Sequence, residues 1–238
     1  MNQFCDKISW GGGLALNYGV ILAAGSGSRM GSELPKQFLE IDGAPILVLS
    51  ARHFVDCPQI DEIVIAVPPD YKDYTEKLLT RYFPEKKFFL VCGGKTRSET
   101  LCILTDFIFE QLPVDDRTVL VTHDAVRPYI NDRIISENIT AALECGACNT
   151  VVPAVDTILS STDGAYITEV FDRSLLYHAQ TPQSFLAVRL KKLLDGMSEQ
   201  QLDLLTDGCS VFVLNHEPVK LVMGSHDNIK ITYPSDLK

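Results

Sequence analysis

The chain is patterned as an α/β protein with a mostly parallel sheet and helices on both faces. Three observations predict that class. Short β-branched apolar runs alternate with segments of helical periodicity from Tyr18 to Thr150, the arrangement that links parallel strands through crossover helices. Glycine-rich and charged clusters follow directly on the apolar runs, as ligand loops do at the carboxyl ends of parallel strands. At 238 residues and 46% hydrophobic composition, the chain can enclose one large core.

Taken in order, Val20–Ala24 is the first buried strand. Pro45–Phe54 carries Ile46, Leu49, His53 and Phe54 at helical spacing, with proline suited to a first turn. Glu62–Val67 is a β-branched strand closed by Pro68-Pro69, and Tyr71, Tyr74, Leu78, Leu79 and Tyr82 then share one helical face. Phe88–Val91 is a strand ending in Gly93-Gly94, followed by a helix bearing Leu101, Leu104, Ile108 and Leu112. Strand Thr118–Val121 runs into His123-Asp124-Ala125-Val126-Arg127-Pro128, and the next helix, through Ile134, Ile135 and Ile139, stops at Gly146.

The alternation ends after Thr150. Val151–Ser161 and Ala165–Val170 read as two strands meeting at Thr162-Asp163-Gly164-Ala165, and Asp-Gly is the preferred centre of a type I′ turn. A hairpin arm at about residues 154–173 has little core of its own. A second subunit is its expected partner. Gln180–Gln183 reads as a loop, Phe185–Leu194 as a helix, and Ser198 with Gln201 as a capping box. Val219–Met223 and Ile229–Thr232 read as closing strands. Residues 1–16 are expected to form a loosely ordered N-terminal extension and 17–238 a single domain.

The chemistry begins at Tyr18–Phe38, YGVILAAGSGSRMGSELPKQF. Gly25 and Gly27 let backbone N–H groups approach an anion, Arg29 can fork onto phosphate oxygens, and Pro35 stiffens the approach to the point charge of Lys36. The stretch has no G-x-x-x-x-G-K-[ST], and Gly25, Gly27 and Gly31 are spaced one residue too widely for the dinucleotide fingerprint. A polyphosphate held by neither standard motif is the expectation.

A net charge of −10 argues against nucleic-acid and anionic-membrane partners, so any phosphate site is a local concentration of cations. Seven scattered cysteines fit reduced thiols and a cytoplasmic location, and Cys145-x-x-Cys148 lacks the second pair of a zinc site. No apolar run is long enough to span a membrane, and residues 1–16 lack the basic start and apolar core of a signal peptide.

The ordered set LAAGSGSRMGSELPKQF, GGKTRSE, VTHDAVRP, DTI, DRSLLYHAQTPQSF, LTD and NIKIT resembles the sugar-alcohol-phosphate cytidylyltransferases, the family of the methylerythritol 4-phosphate and ribitol 5-phosphate enzymes. The resemblance spans Tyr18 to Lys238. It implies a Rossmann-like nucleotidyltransferase fold, a homodimer, and transfer of CMP from CTP to a polyol phosphate with release of pyrophosphate. It makes Arg29, Lys36, Arg173 and Lys230 the catalytic cations. Leu22, Ala23, Ala24, Gly25 and Gly27 would pass along the nucleotide. Gly94, Lys95, Arg97 and Thr100 would surround the cytosine, and Asp124 and Ala125 the ribose and phosphates. Arg127, Thr157, Arg173, Thr206 and Lys230 would meet the acceptor. Asp124 is alternatively a ligand for the Mg²⁺ that accompanies CTP, or a salt-bridge partner of Arg127. His123 reads as a packed residue at a strand end.

Between the two branches, Thr122, Val126, the lack of lysine after Asp156-Thr157-Ile158, and Thr206-Asp207-Gly208-Cys209 look like the ribitol 5-phosphate enzymes. Ala24 and Ala125 look like the methylerythritol 4-phosphate enzymes. Ribitol 5-phosphate, giving CDP-ribitol, is the first expectation and methylerythritol 4-phosphate the alternative.

Overall fold

The computed structural model describes residues 16–25 and 34–237. The predicted extension, except Leu16, and the positions of Gly27 and Arg29 lie outside them. A seven-stranded sheet forms the centre. Its chain order is β1 (Asn17–Leu22), α1 (Ile46–Asp56), β2 (Glu62–Val67), α2 (Lys72–Tyr82), β3 (Phe88–Cys92), α3 (Arg97–Gln111), β4 (Val119–Asp124), α4 (Asp132–Cys145) and β5 (Ala147–Pro153). There follow β6 (Tyr177–Leu186), α5 (Ala187–Asp195), α6 (Glu199–Asp203), α7 (Cys209–Leu214) and β7 (Lys220–Met223). Across the sheet the order is β7-β5-β6-β4-β1-β2-β3. All neighbours are parallel except β6, which is antiparallel to both β4 and β5.

Alternation along the strands divides the core into two layers. Ile21, Ile63, Ile65, Val119 and Val121 face α1, α2 and α4, whereas Tyr18, Val20, Val64, Ala66 and Leu120 face α3, α5 and α7. Phe185 stacks on Phe212 at 5.3 Å in the second layer. Register brings Leu22 beside Ala66 and Asp124, and Val67 beside Cys92. The loops leaving β1, β3 and β4 therefore share one rim.

Four expectations need correction. Gln180–Gln183 is not a loop but the middle of β6, and the helix starts only at Ala187. The register shifts between Ala179 and Gln183, so Pro182 sits at an irregularity where its missing donor is not required. Ile229–Thr232 forms no strand; it docks through Ile231 N–H to the Val126 carbonyl at 2.8 Å. The segment from Val151 splits: its start belongs to β5, and the arm pairs only Leu159–Ser160 with Glu169–Val170. Gly164 has φ +72°, but Asp163 is not left-handed, so the turn is not type I′. Asp163 instead caps the loop, its Oδ1 accepting the amides of Ala165 and Tyr166.

The predicted stop at Gly146 holds, with φ +90° and its N–H bonded to the Ala142 carbonyl. A Cβ there would also lie 2.3 Å from Arg189 Nη1. Gly146→Ala is expected to lower unfolding free energy by about 1–2 kcal/mol, read as a lower urea midpoint at unchanged slope.

Candidate active site

The rim loops enclose a cleft of about 510 Å³. Most of the residues expected around CTP line it: Leu22, Ala23, Ala24, Gly25, Gly94, Lys95, Arg97, Thr100, Asp124 and Ala125. So do Lys36 and Lys230. The lining thus sets Lys36, Lys95, Arg97 and Lys230 against one carboxylate, Asp124, a local excess of cations in an acidic chain.

Each wall is braced from behind. Pro35 precedes a short 3₁₀ turn, Lys36–Phe38, and buried Gln37 donates its Nε2 hydrogens to the carbonyls of Ala23 at 2.6 Å and Gly25 at 3.1 Å. That side chain fixes the described start of the β1 loop. Lys36 Nζ donates to the Ile231 carbonyl at 2.9 Å. Opposite, the turn after β3 approaches so closely that a Cβ on Gly93 would sit 2.3 Å from the Ala24 Cβ. The amides of Gly93, Gly94 and Lys95 are bound by the Val67 carbonyl, Thr100 Oγ1 and Glu99 Oε2. Thr96 caps α3 by accepting the Glu99 N–H.

Asp124 is the centre. It is buried at the end of β4, with Oδ1 2.6 Å from Arg97 Nη1 and Oδ2 2.8 Å from Lys230 Nζ. Arg127 Nε is farther, at 4.0 Å. Burial pushes the carboxyl pKa up, but Arg97, Lys230 and Arg127 outweigh it and hold it well below the usual carboxylate range. Both oxygens are already engaged by cations. Among the described residues no group of three or more His, Cys, Asp or Glu is placed to hold a metal. The residues present do not fit a resident Mg²⁺ site at Asp124.

The acceptor residues fall differently. Arg127 is buried and turned from the cleft, donating to the Asn228 carbonyl at 2.7 Å. Thr206 is exposed, with Oγ1 3.4 Å from Ser210 Oγ. Thr157 and Arg173 stand on the exposed arm, where Arg173 Nη1 donates to the Val155 carbonyl at 2.7 Å. The chain's own cleft gathers the described residues expected around CTP with Lys36 and Lys230, but not these four.

Sequence reasoning missed Gln37, Thr181, Gln183 and Asn228. Buried Gln183 donates to Asp207 Oδ2 at 2.7 Å and accepts from Gly208 N–H at 3.1 Å, so it links the Thr206 loop to β6. Asn228 Nδ2 donates to the Thr181 carbonyl at 2.8 Å. For Gln37 and Gln183 the available signal was a polar amide inside a motif-bearing stretch, PKQF and TPQSF.

Comparison with known proteins fits this geometry. The family model for IspD, 2-C-methyl-D-erythritol 4-phosphate cytidylyltransferase, matches residues 18–238. The chain belongs to that family. It is accordingly a nucleotidyltransferase of the CTP-dependent cytidylyltransferase type. Among solved structures, the 4-diphosphocytidyl-2C-methyl-D-erythritol synthase of Anaerococcus prevotii superposes with TM-score 0.78 at 27% identity, over 94% of this chain and 93% of that one. The 2-C-methyl-D-erythritol 4-phosphate cytidylyltransferase of Francisella tularensis gives 0.78 at 26%, over 94% and 97%. That of Thermus thermophilus gives 0.70 at 25%, over 94% and 96%. The family fold and the mostly parallel sheet agree with the sequence reading. No helix among the described residues is long and apolar enough to cross a membrane.

Two buried groups, His123 and Asp124, contribute to the acid sensitivity of the fold. Burial lowers the His123 pKa to about 4, against its backbone hydrogen bond and Asp124. The ring is neutral when folded but charges when unfolded, so its contribution is complete above about pH 6.5 and is lost as pH falls toward 4. Asp124 contributes above the ordinary aspartate range, near 3.9, and its share is lost below it. Urea titrations should show stability falling between pH 6.5 and 4 with a His123 contribution of up to about 1.4 kcal/mol per pH unit. His123→Gln should flatten that slope; an unchanged slope would assign the proton elsewhere.

Proposed function

We propose that this protein transfers CMP from CTP to 2-C-methyl-D-erythritol 4-phosphate and releases pyrophosphate. A phosphate oxygen of the acceptor attacks the α-phosphorus of CTP, and the bond from that phosphorus to the pyrophosphate oxygen breaks. The observation that carries the reading is the cation set Lys36, Arg97 and Lys230 organised about Asp124 at the strand rim. Charge accumulates on the transferred and leaving phosphates, so fixed cations lower the barrier without a covalent nucleophile. Arg29 is assigned to the same triphosphate. Any Mg²⁺ would arrive with the CTP and would add positive charge there, and no residue role above depends on it.

The cytosine assignment rests on the turn after β3. With the Gly93, Gly94 and Lys95 amides consumed, that turn recognises a base through acceptors, and the 4-amino group of cytosine is the donor that uracil lacks.

For the acceptor, the names of the matching family and of its solved relatives support methylerythritol 4-phosphate, reversing the order that single residues gave in the sequence. The Thr206-Asp207-Gly208 loop favours ribitol 5-phosphate as the second reading. Pyrophosphate release from CTP with each polyol decides: faster turnover with methylerythritol 4-phosphate is expected, and faster turnover with ribitol 5-phosphate overturns the assignment. Lys36→Ala is expected to lower kcat by on the order of 10²-fold or more with the fold intact; near-normal turnover would remove it from the catalytic set.

Thr157 and Arg173 are assigned to the acceptor site of a second copy. The arm exposes Val155, Ile167, Val170 and Leu175, with Tyr166 at 78%, apolar surface that an isolated hairpin leaves wet and a homodimer would bury. Turnover per chain should fall on dilution to the monomer. Full turnover by a monomer would overturn the shared site.

A further inference from the structure

His123 lies fully buried behind Asp124 and takes no part in the chemistry above. Its ring packs on Phe54 at 5.3 Å between centroids, which any ring of that size would do. Its nitrogens are another matter, because both are engaged. Nε2 lies 3.0 Å from the Arg127 carbonyl oxygen and Nδ1 2.9 Å from Thr181 Oγ1.

Donor accounting fixes the directions. A carbonyl only accepts, so Nε2 carries the proton. Thr181 Oγ1 receives the Asp124 N–H at 3.1 Å, and its own hydrogen goes to Nδ1, the acceptor of the neutral ring. Hydrogen bonds then run one way, from the Asp124 amide through the Thr181 hydroxyl and the His123 ring to the Arg127 carbonyl. The Arg127 amide returns to the Asp124 carbonyl at 3.1 Å. Asn228 accepts from Arg127 and donates to the Thr181 carbonyl. Both ends of the 124–127 turn are thereby fixed to β6.

We propose that His123 is a positioning residue for cytidylyl transfer. As the neutral Nε2–H tautomer it locks the Asp124–Arg127 turn to Thr181, and so aims the Asp124 carboxylate between Arg97 and Lys230. It acts through Asp124 and touches neither substrate. The inference rests on the cytidylyl-transfer reading.

The test combines kinetics with a measurement independent of turnover. His123→Phe keeps a ring but no nitrogens, His123→Gln retains a donor for the Arg127 carbonyl, and Thr181→Val removes the hydroxyl. With folding confirmed by circular dichroism, His123→Phe is expected to lose about 10–100-fold in kcat, because misaimed cations cost the transition state most. KM for CTP should stay within about threefold. His123→Gln should recover part of the loss. Thr181→Val should lose kcat as well, and the double variant with His123→Phe less than the product of the two, as linked groups do. Unchanged kcat in His123→Phe, or losses that multiply, overturn the proposal. Nitrogen NMR of the unsubstituted chain should report an Nε2–H ring from pH 5.5 to 8; the Nδ1–H tautomer or a charged ring overturns it even if no variant folds. Absence of pyrophosphate release by the unsubstituted chain with either polyol would instead sink the cytidylyl-transfer reading and leave the tautomer measurement standing.

Discussion

The site depends on a buried carboxylate that is never alone. Asp124 sits at the end of a fully buried strand and is held by Arg97 from α3 and Lys230 from the C-terminal segment. Burying one charge unpaired costs several kcal/mol, so the carboxylate obliges its neighbours to bring cations close. Those cations lie within the same cleft that a triphosphate would occupy. One anion thus gathers positive groups from two distant parts of the sequence, and like-charge repulsion between them is relieved before any ligand arrives.

Much of this was legible in the sequence because parallel strands write themselves plainly. Glu62–Val67 is a β-branched run with no competing periodicity and is the observed strand to the residue. Once strands were placed, the glycine and charged clusters that follow β1, β3 and β4 fell on one rim by topology alone. Lys36, Arg97 and Asp124, far apart in the sequence, accordingly line one cleft at that rim.

What escaped did so for physical reasons. β6 contains Gln180, Thr181, Pro182 and Gln183, residues that signal a turn when alone but here spend their polar groups on β4, β5, the Thr206 loop and the segment from Ser225 to Asn228. Burial, not propensity, makes them a strand. Ile229–Thr232 has strand composition but, among the described residues, a single backbone-to-backbone bond to the rest of the fold, so it docks as a strap without joining a sheet. The Asp-Gly turn lost to side-chain capping by Asp163, since a short exposed arm has no sheet twist to enforce a tighter hairpin. The acceptor was least legible because the residues that would choose it lie on that arm and on the exposed Thr206 loop, away from the cleft that the strands build.

The strap has a consequence for how the molecule is made. Lys36 and the Ile231 carbonyl are 195 residues apart in sequence yet 2.9 Å apart in space, and Lys230 reaches Asp124 from the same strap. Contacts of such separation form late, after the sheet has closed the intervening loop. A growing chain on the ribosome carries the nucleotide loops long before it carries their last cation. The cleft's charge is completed only when the strap emerges and docks, so the nascent protein has the walls of its site and most of its cations before Lys230 reaches Asp124.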